Sequence, residues 1–183
     1  MLGGLIQRPF ATPASFDWER DPARVRAASR ELDAPLDLSR FFARGGKLIL
    51  WHGWADAAIP PEATLNYSAA MHGRSGARAA DAVRLFMVPG VQHCAGGTVA
   101  ASFGQAGAPA PGETPERDMV LALQGWREAT RPAPETRVAR RGMGGFFGAP
   151  SQGPERQRRL CAWPKKEVFL QGDPDKAESY GCQ

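Results

Sequence analysis

Two short apolar runs dominate the hydrophobic pattern, and each ends in a turn followed at once by a titratable side chain. Residues 47–51 are apolar after Lys47, the pair His52 and Gly53 breaks the run, and Asp56 follows in the loop. Val83–Val88 is the second run; Pro89 and Gly90 break it, and His93 stands three residues beyond the glycine. Short continuous apolar runs bounded by turn signals predict strands buried on both faces of a parallel sheet. Open α/β sheets place their ligands and chemistry at the carboxyl ends of such strands. An acid on one of these loops and a histidine on the next, in that order, is two thirds of a hydrolase triad.

Between and around the runs the pattern predicts helices. Residues 21–32 read as a helix with Asp21 as cap and Pro22 at the first position, and residues 36–42 as a turn or short helix. Pro60 and Pro61 open a helix over 62–71, with Glu62 in its first turn. Residues 73–81 read as a polar, glycine-containing excursion, and 96–114 as a surface loop without secondary structure. Residues 115–130 form the clearest helix, with Thr114 as candidate cap. Its apolar stripe is Met119, Val120, Leu123 and Trp126. Further on, 136–139 and 167–170 read as strands, 142–154 as a glycine-rich insertion, and 173–180 as a short helix. No internal repeat is visible.

Composition adds bounds. A chain of 183 residues with 43% hydrophobic content is long enough to bury a core. Its 21 glycines and 16 prolines predict long loops rather than wholesale disorder. No apolar stretch approaches the roughly 20 residues needed to cross a bilayer, and the start, MLGGLIQRPF, is too short in apolar residues for a secretion signal. The net charge of +4 is concentrated between residues 131 and 166, where nine basic residues face Glu135 and Glu155. Such a stretch can mark nucleic-acid contact. Without an accompanying helical face, aromatic ladder or zinc spacing, it reads as a solvated arginine-rich loop. Neither nucleic acid nor membrane is therefore predicted as a partner. Of the three cysteines, Cys161 and Cys182 could close a loop of about 20 residues, leaving Cys94 over. Three free thiols fit the spacing equally well.

The chemistry converges on Asp56 and His93. A carboxylate hydrogen-bonded to one imidazole nitrogen fixes the tautomer, so that the other nitrogen can take a proton from a nucleophile. His52 reads as a structural or hydrogen-bonding residue beside the site, and His72 as a helix-end residue favoured by the dipole. No HxH, HExxH or paired CxxC spacing occurs, so neither metal nor cofactor is predicted in this chain. None of the eight serines stands in G-x-S-x-G after an apolar strand, the strained elbow a nucleophilic serine needs. In this order of residues the nucleophile precedes the acid, and the 55 residues before Asp56 hold no elbow. The chain thus reads as the C-terminal part of an enzyme. That predicts residues 1–44 as a segment leading into the core, 45–130 as the C-terminal part of the core, and 131–183 as a tail.

Three strings carry a resemblance: GGKLILWHGWADAAIPP at 45–61, RLFMVPGVQHCAGG at 84–97, and LCAWPKKEVFLQGDPDKAESYGC at 160–182. They resemble the tannase and feruloyl esterase family of α/β-hydrolases, over residues 16–182. The resemblance implies a serine carboxylic ester hydrolase acting on small aromatic esters, with Asp56 as triad acid and His93 as triad base. It implies a tail disulfide between Cys161 and Cys182. It also implies that Cys94 bonds a cysteine outside this chain, next to the missing serine. A lid domain, often holding calcium, would lie upstream, and the full-length protein would be secreted or periplasmic. Lacking the serine, the chain is expected not to hydrolyse esters unaided. A non-catalytic remnant whose basic segment contacts an acidic partner is the alternative.

Overall fold

In the computed structural model the described residues are 12–97, 100–105, 114–140 and 156–183. The first apolar run forms β1, Leu48–Gly53, and the second forms β2, Val83–Val88. The two pair in parallel, from Leu48 opposite Val83 to Gly53 opposite Val88, so both strands end at the same level. The crossover between them is helical, α3 (Pro61–Ser75) followed by α4 (Ala77–Ala82), as a parallel connection requires.

Alternate residues of β1 serve opposite faces. Leu48 and Leu50 pack with Phe42, Met71, Ala79 and Val83 on one side. Ile49 and Trp51 pack with Phe86, Val88, Val91, Phe103 and Leu160 on the other. Trp51 meets the Phe103 ring edge-on at 5.1 Å. Helix α2, Ser39–Ala43, places Phe42 in the first of these layers. Helix α5, Met119–Arg127, adds Met119 to the second. The result is a small parallel sheet with helices around it, an α/β arrangement.

The segment from residue 131 builds two antiparallel hairpins, β3 (Thr136–Arg140) with β4 (Gln157–Cys161), and β5 (Glu167–Phe169) with β6 (Tyr180–Cys182). The end of β4 runs on beside β2: Ala162 bridges Phe86, and the Trp163 N–H donates to the Leu85 carbonyl at 2.8 Å. Cys161 and Cys182 form a disulfide with 5.6 Å between their Cα atoms, tying the two hairpins together.

Several boundaries differ from the sequence expectation. The helix placed at 62–71 runs on through Gly73 to Ser75 and stops at Gly76, whose φ of +68° suits only glycine. Most of the supposed polar excursion is then α4. The helix placed at 115–130 begins at Met119, because Asp118 and not Thr114 is the cap. Its carboxylate accepts from the Val120 and Leu121 N–H groups at 2.8 and 3.0 Å. The buried face is Met119, Ala122, Gly125 and Trp126, while Val120 is 65% exposed. Within 96–114, Ser102 bridges Arg140 through two 2.9 Å hydrogen bonds and Phe103 is fully buried. The helix expected at 173–180 is a single 3-10 turn, Ala177–Ser179, leading into β6. The insertion at 142–154 lies outside the described residues.

The chain divides into two compact units, Met1–Pro35 and Leu36–Gln183; the tail at 131–183 shares the second unit with residues 45–130. The described part of the first unit holds the helix α1, Asp21–Leu32. Asp21 was expected to cap it, but is its first residue, with its carboxylate accepting the Asp17 N–H at 2.9 Å. Among the described residues no helix is long and apolar enough to cross a membrane.

Two outcomes follow for urea unfolding followed by circular dichroism. Phe86 is fully buried, so Phe86→Ala is expected to cost about 3–5 kcal/mol. The disulfide closes a loop of 21 residues, so replacing both cysteines by alanine is expected to cost about 3 kcal/mol.

Candidate active site

The two loops that leave β1 and β2 are laced together by backbone. The Trp54 N–H donates to the Val88 carbonyl at 2.9 Å, and the Ala55 N–H to the Val91 carbonyl at 3.0 Å. Gly53 permits this approach, since a Cβ there would stand 2.1 Å from the Val91 oxygen. The loop after β2 closes on itself in the same way: at Gly97 (φ +109°) a Cβ would lie 2.0 Å from the Gly90 oxygen. Between these fixed points the loops hold Asp56 and His93 against each other.

The Asp56 carboxylate is 5% exposed and accepts on both oxygens. Oδ1 takes the Ala58 and Ile59 N–H groups at 2.8 and 3.0 Å. Oδ2 faces His93 Nδ1 at 2.9 Å and His52 Nε2 at 3.3 Å. A carboxylate offers about four acceptor positions; hydrogen bonds from Ala58, Ile59 and His93 take three of them, and His52 Nε2 lies close to the same Oδ2. Burial by itself raises the Asp56 carboxyl. The Ile59 amide, the His93 ring and the Ala58 amide outweigh that effect and hold it at about 2, below its ordinary 3.8. The group is an anion throughout the neutral range.

With Asp56 anionic, His93 carries its proton on Nδ1, and the lone pair of its neutral ring lies on Nε2. The His93 side chain is 50% exposed, so the pair combines a buried acid with an accessible base. Such an arrangement can accept a proton from a hydroxyl and return it to a leaving group.

His52 joins the site and His72 does not. His52 is 10% exposed and has its Nδ1 2.7 Å from Thr64 Oγ1 on α3 and its Nε2 3.2 Å from the Ile59 carbonyl. The His72 Nδ1 instead donates to the Ser68 carbonyl at 2.7 Å in the last turn of α3. Cys94 follows His93 in the left-handed region, φ +63°, with an exposed free thiol. The sequence reading missed Thr64 and the Ala58 and Ile59 amides. Amides carry no sequence signal, and Thr64 stands twelve residues from His52, on a helix whose direction only the fold sets.

Where it is described, the basic stretch is strand as much as loop, and most of its solvated charges have partners. Arg131 pairs with Glu116 at 3.2 Å, Arg156 with Asp175 at 3.2 Å, and Lys165 reaches Glu135 at 4.0 Å. Arg158 donates to the Gln157 and Pro174 carbonyls and lies over the Tyr180 ring. Arg137 is buried on β3, where burial pushes its guanidinium down to about 10. Among the described residues no group of three or more His, Cys, Asp or Glu converges as a metal site.

Comparison with known proteins gives these features a context. An uncharacterized esterase of Xanthomonas campestris pv. campestris is 34% identical over 180 residues, covering 90% of this chain and 31% of that protein. A mono(2-hydroxyethyl) terephthalate hydrolase of Piscinibacter sakaiensis is also 34% identical, over 181 residues, covering 91% of this chain and 26% of the other. The chain thus spans about a third or less of the length of the curated relatives it matches. In fold it is similar to the crystal structure of an esterase from Aspergillus oryzae, with a TM-score of 0.80 at 24% identity, over 98% of this chain and 36% of that one. Feruloyl esterase B from Aspergillus oryzae aligns with a TM-score of 0.77 at 22% identity, over 98% and 35% of the two chains. The family pattern described as tannase and feruloyl esterase matches residues 12–183, and the chain belongs to that family.

Proposed function

We propose that this chain supplies the acid and the base of a serine carboxylic ester hydrolase of feruloyl esterase or tannase type. The observation that carries the reading is the 2.9 Å contact between His93 Nδ1 and Asp56 Oδ2, which leaves His93 Nε2 on an exposed ring. Family membership makes ester hydrolysis the chemistry to which such a pair belongs.

In this reading the chain is the C-terminal part of an α/β-hydrolase, and the nucleophilic serine lies in residues outside it. Asp56 orients His93 and stabilises the imidazolium. His93 takes the serine proton as the hydroxyl attacks the ester carbonyl, then gives it to the departing alcohol. Water hydrolyses the resulting acyl-enzyme with His93 again as base. The substrate is a small aromatic ester. Cys94, exposed directly after His93, bonds a cysteine beside the serine, and the whole protein works in an oxidising compartment, secreted or periplasmic. The 183 residues alone do not complete the site.

The test uses methyl ferulate and methyl gallate. The chain alone is expected to hydrolyse neither above the uncatalysed rate. Joined to an in-frame upstream sequence carrying a G-C-S-x-G elbow, read from the genomic DNA before Met1, it is expected to turn over at least one of them. His93→Ala or Asp56→Asn in that longer protein is then expected to lower kcat by about 10⁴-fold. Undiminished turnover in His93→Ala, or turnover by the chain alone, would overturn the reading.

The depressed carboxyl also sets a pH window. Because the folded value lies below the ordinary one, the Asp56 anion contributes stability that is complete above 3.8 and lost as the pH falls through about 2. The difference in Tm between the chain and its Asp56→Asn variant is expected to shrink as the pH falls from 3.8 through about 2. A difference that grows on acidification would contradict the assignment.

A further inference from the structure

We propose that His52, held by Thr64, is a positioning residue for the Asp56 carboxylate. The proposal rests on the reading of Asp56 and His93 as the acid–base pair and concerns what keeps that pair aligned.

Oδ1 is held by the two amides of its own loop, the N–H groups of Ala58 and Ile59. A carboxylate held at one oxygen can still twist about its Cβ–Cγ bond, and a twist moves Oδ2 away from His93. The exposed His93 ring cannot prevent this, because it is the partner to be aligned. Among the described residues the other polar side chain beside Oδ2 is His52, with its Nε2 at 3.3 Å.

The protonation of His52 follows from its surroundings. Nε2 faces two acceptors, Asp56 Oδ2 and the Ile59 carbonyl at 3.2 Å. A lone pair there would oppose two oxygens, so Nε2 carries a proton. In the neutral ring Nδ1 is then an acceptor, and the Thr64 hydroxyl, 2.7 Å away, donates to it. Thr64 thereby selects the tautomer whose protonated Nε2 bonds the Ile59 carbonyl and stands beside Asp56 Oδ2. Ile59 closes the ring of contacts, giving its N–H to Oδ1 and its carbonyl to His52. At 10% exposure the His52 side chain has little water to substitute for any of these partners. The first turn of α3 thus sets the plane of a carboxylate that lies on the loop after β1.

The test follows the proton between His93 Nδ1 and Asp56 by ¹H NMR of the ¹⁵N-histidine-labelled chain. In the unaltered chain this proton is expected as a strongly deshielded, slowly exchanging resonance. His52→Phe keeps an aromatic ring and removes both nitrogens, and the resonance is expected to disappear into exchange. His52→Gln places an amide donor near Nε2 and is expected to restore it. Thr64→Val leaves His52 in place and is expected to speed exchange about tenfold, the loss of one hydrogen bond. A folded His52→Phe variant with the original resonance and exchange rate would overturn the proposal. Should His52→Phe fail to fold, unchanged exchange in Thr64→Val would overturn it instead. Absence of the resonance from the unaltered chain would overturn the acid–base reading, and the proposal with it, in a distinguishable way.

Discussion

The parallel pairing of β1 and β2 is the constraint on which the rest of the second unit depends. Because Gly53 and Val88 are opposite one another, the two strands deliver their loops at one height, and two backbone hydrogen bonds then lace those loops together. Gly53 is required at that crossing by contact alone. A methyl group there would overlap the Val91 carbonyl, so the loops could not close and Asp56 would not meet His93. Both faces of β1 are covered, one by Phe42 and Met71 and the other by Phe86 and Phe103. A continuous apolar run is what a doubly covered strand needs.

Upon that frame sits a carboxylate hydrogen-bonded on both oxygens. Hydrogen bonds from two amides and the His93 imidazole offset burial and keep Asp56 ionised. The same contacts divide the labour between two histidines on one oxygen. His93 is half exposed with a free nitrogen, whereas His52 is nearly buried with both nitrogens engaged. Accessibility, more than residue type, separates the group that can exchange a proton with a substrate from the group that can only hold a neighbour.

The tail shows how polar sequence becomes structure through partners. β4 reads Gln-Arg-Arg-Leu-Cys, with no apolar run to announce a strand. It is a strand because β3 pairs with it and because Leu160 reaches the core. Its charges are spent on carbonyls, on the Tyr180 ring and, nearby, on acidic partners. A stretch that looks like a free basic surface in one dimension is, where described, largely paired within the chain by exposed ion pairs and hydrogen bonds.

What the sequence by itself determined are the features carried by local pattern: β1, β2, α1, the existence of α3 and α5, and Asp56 and His93 at the strand ends. Apolar runs, proline entries and turn residues act over a few neighbours, so they are legible without the fold. Family membership was legible too, because it rests on strings of consecutive residues. The tertiary structure alone decided the rest. It chose Asp118 over Thr114 as a cap, turned Val120 outward, and made strands of β4 and β6. It also brought Thr64 to His52, and His52 to the Asp56 carboxylate. Each of these depends on which surface another element happens to cover, or on a backbone amide that has no letter in the sequence, and such information exists only once the chain has folded.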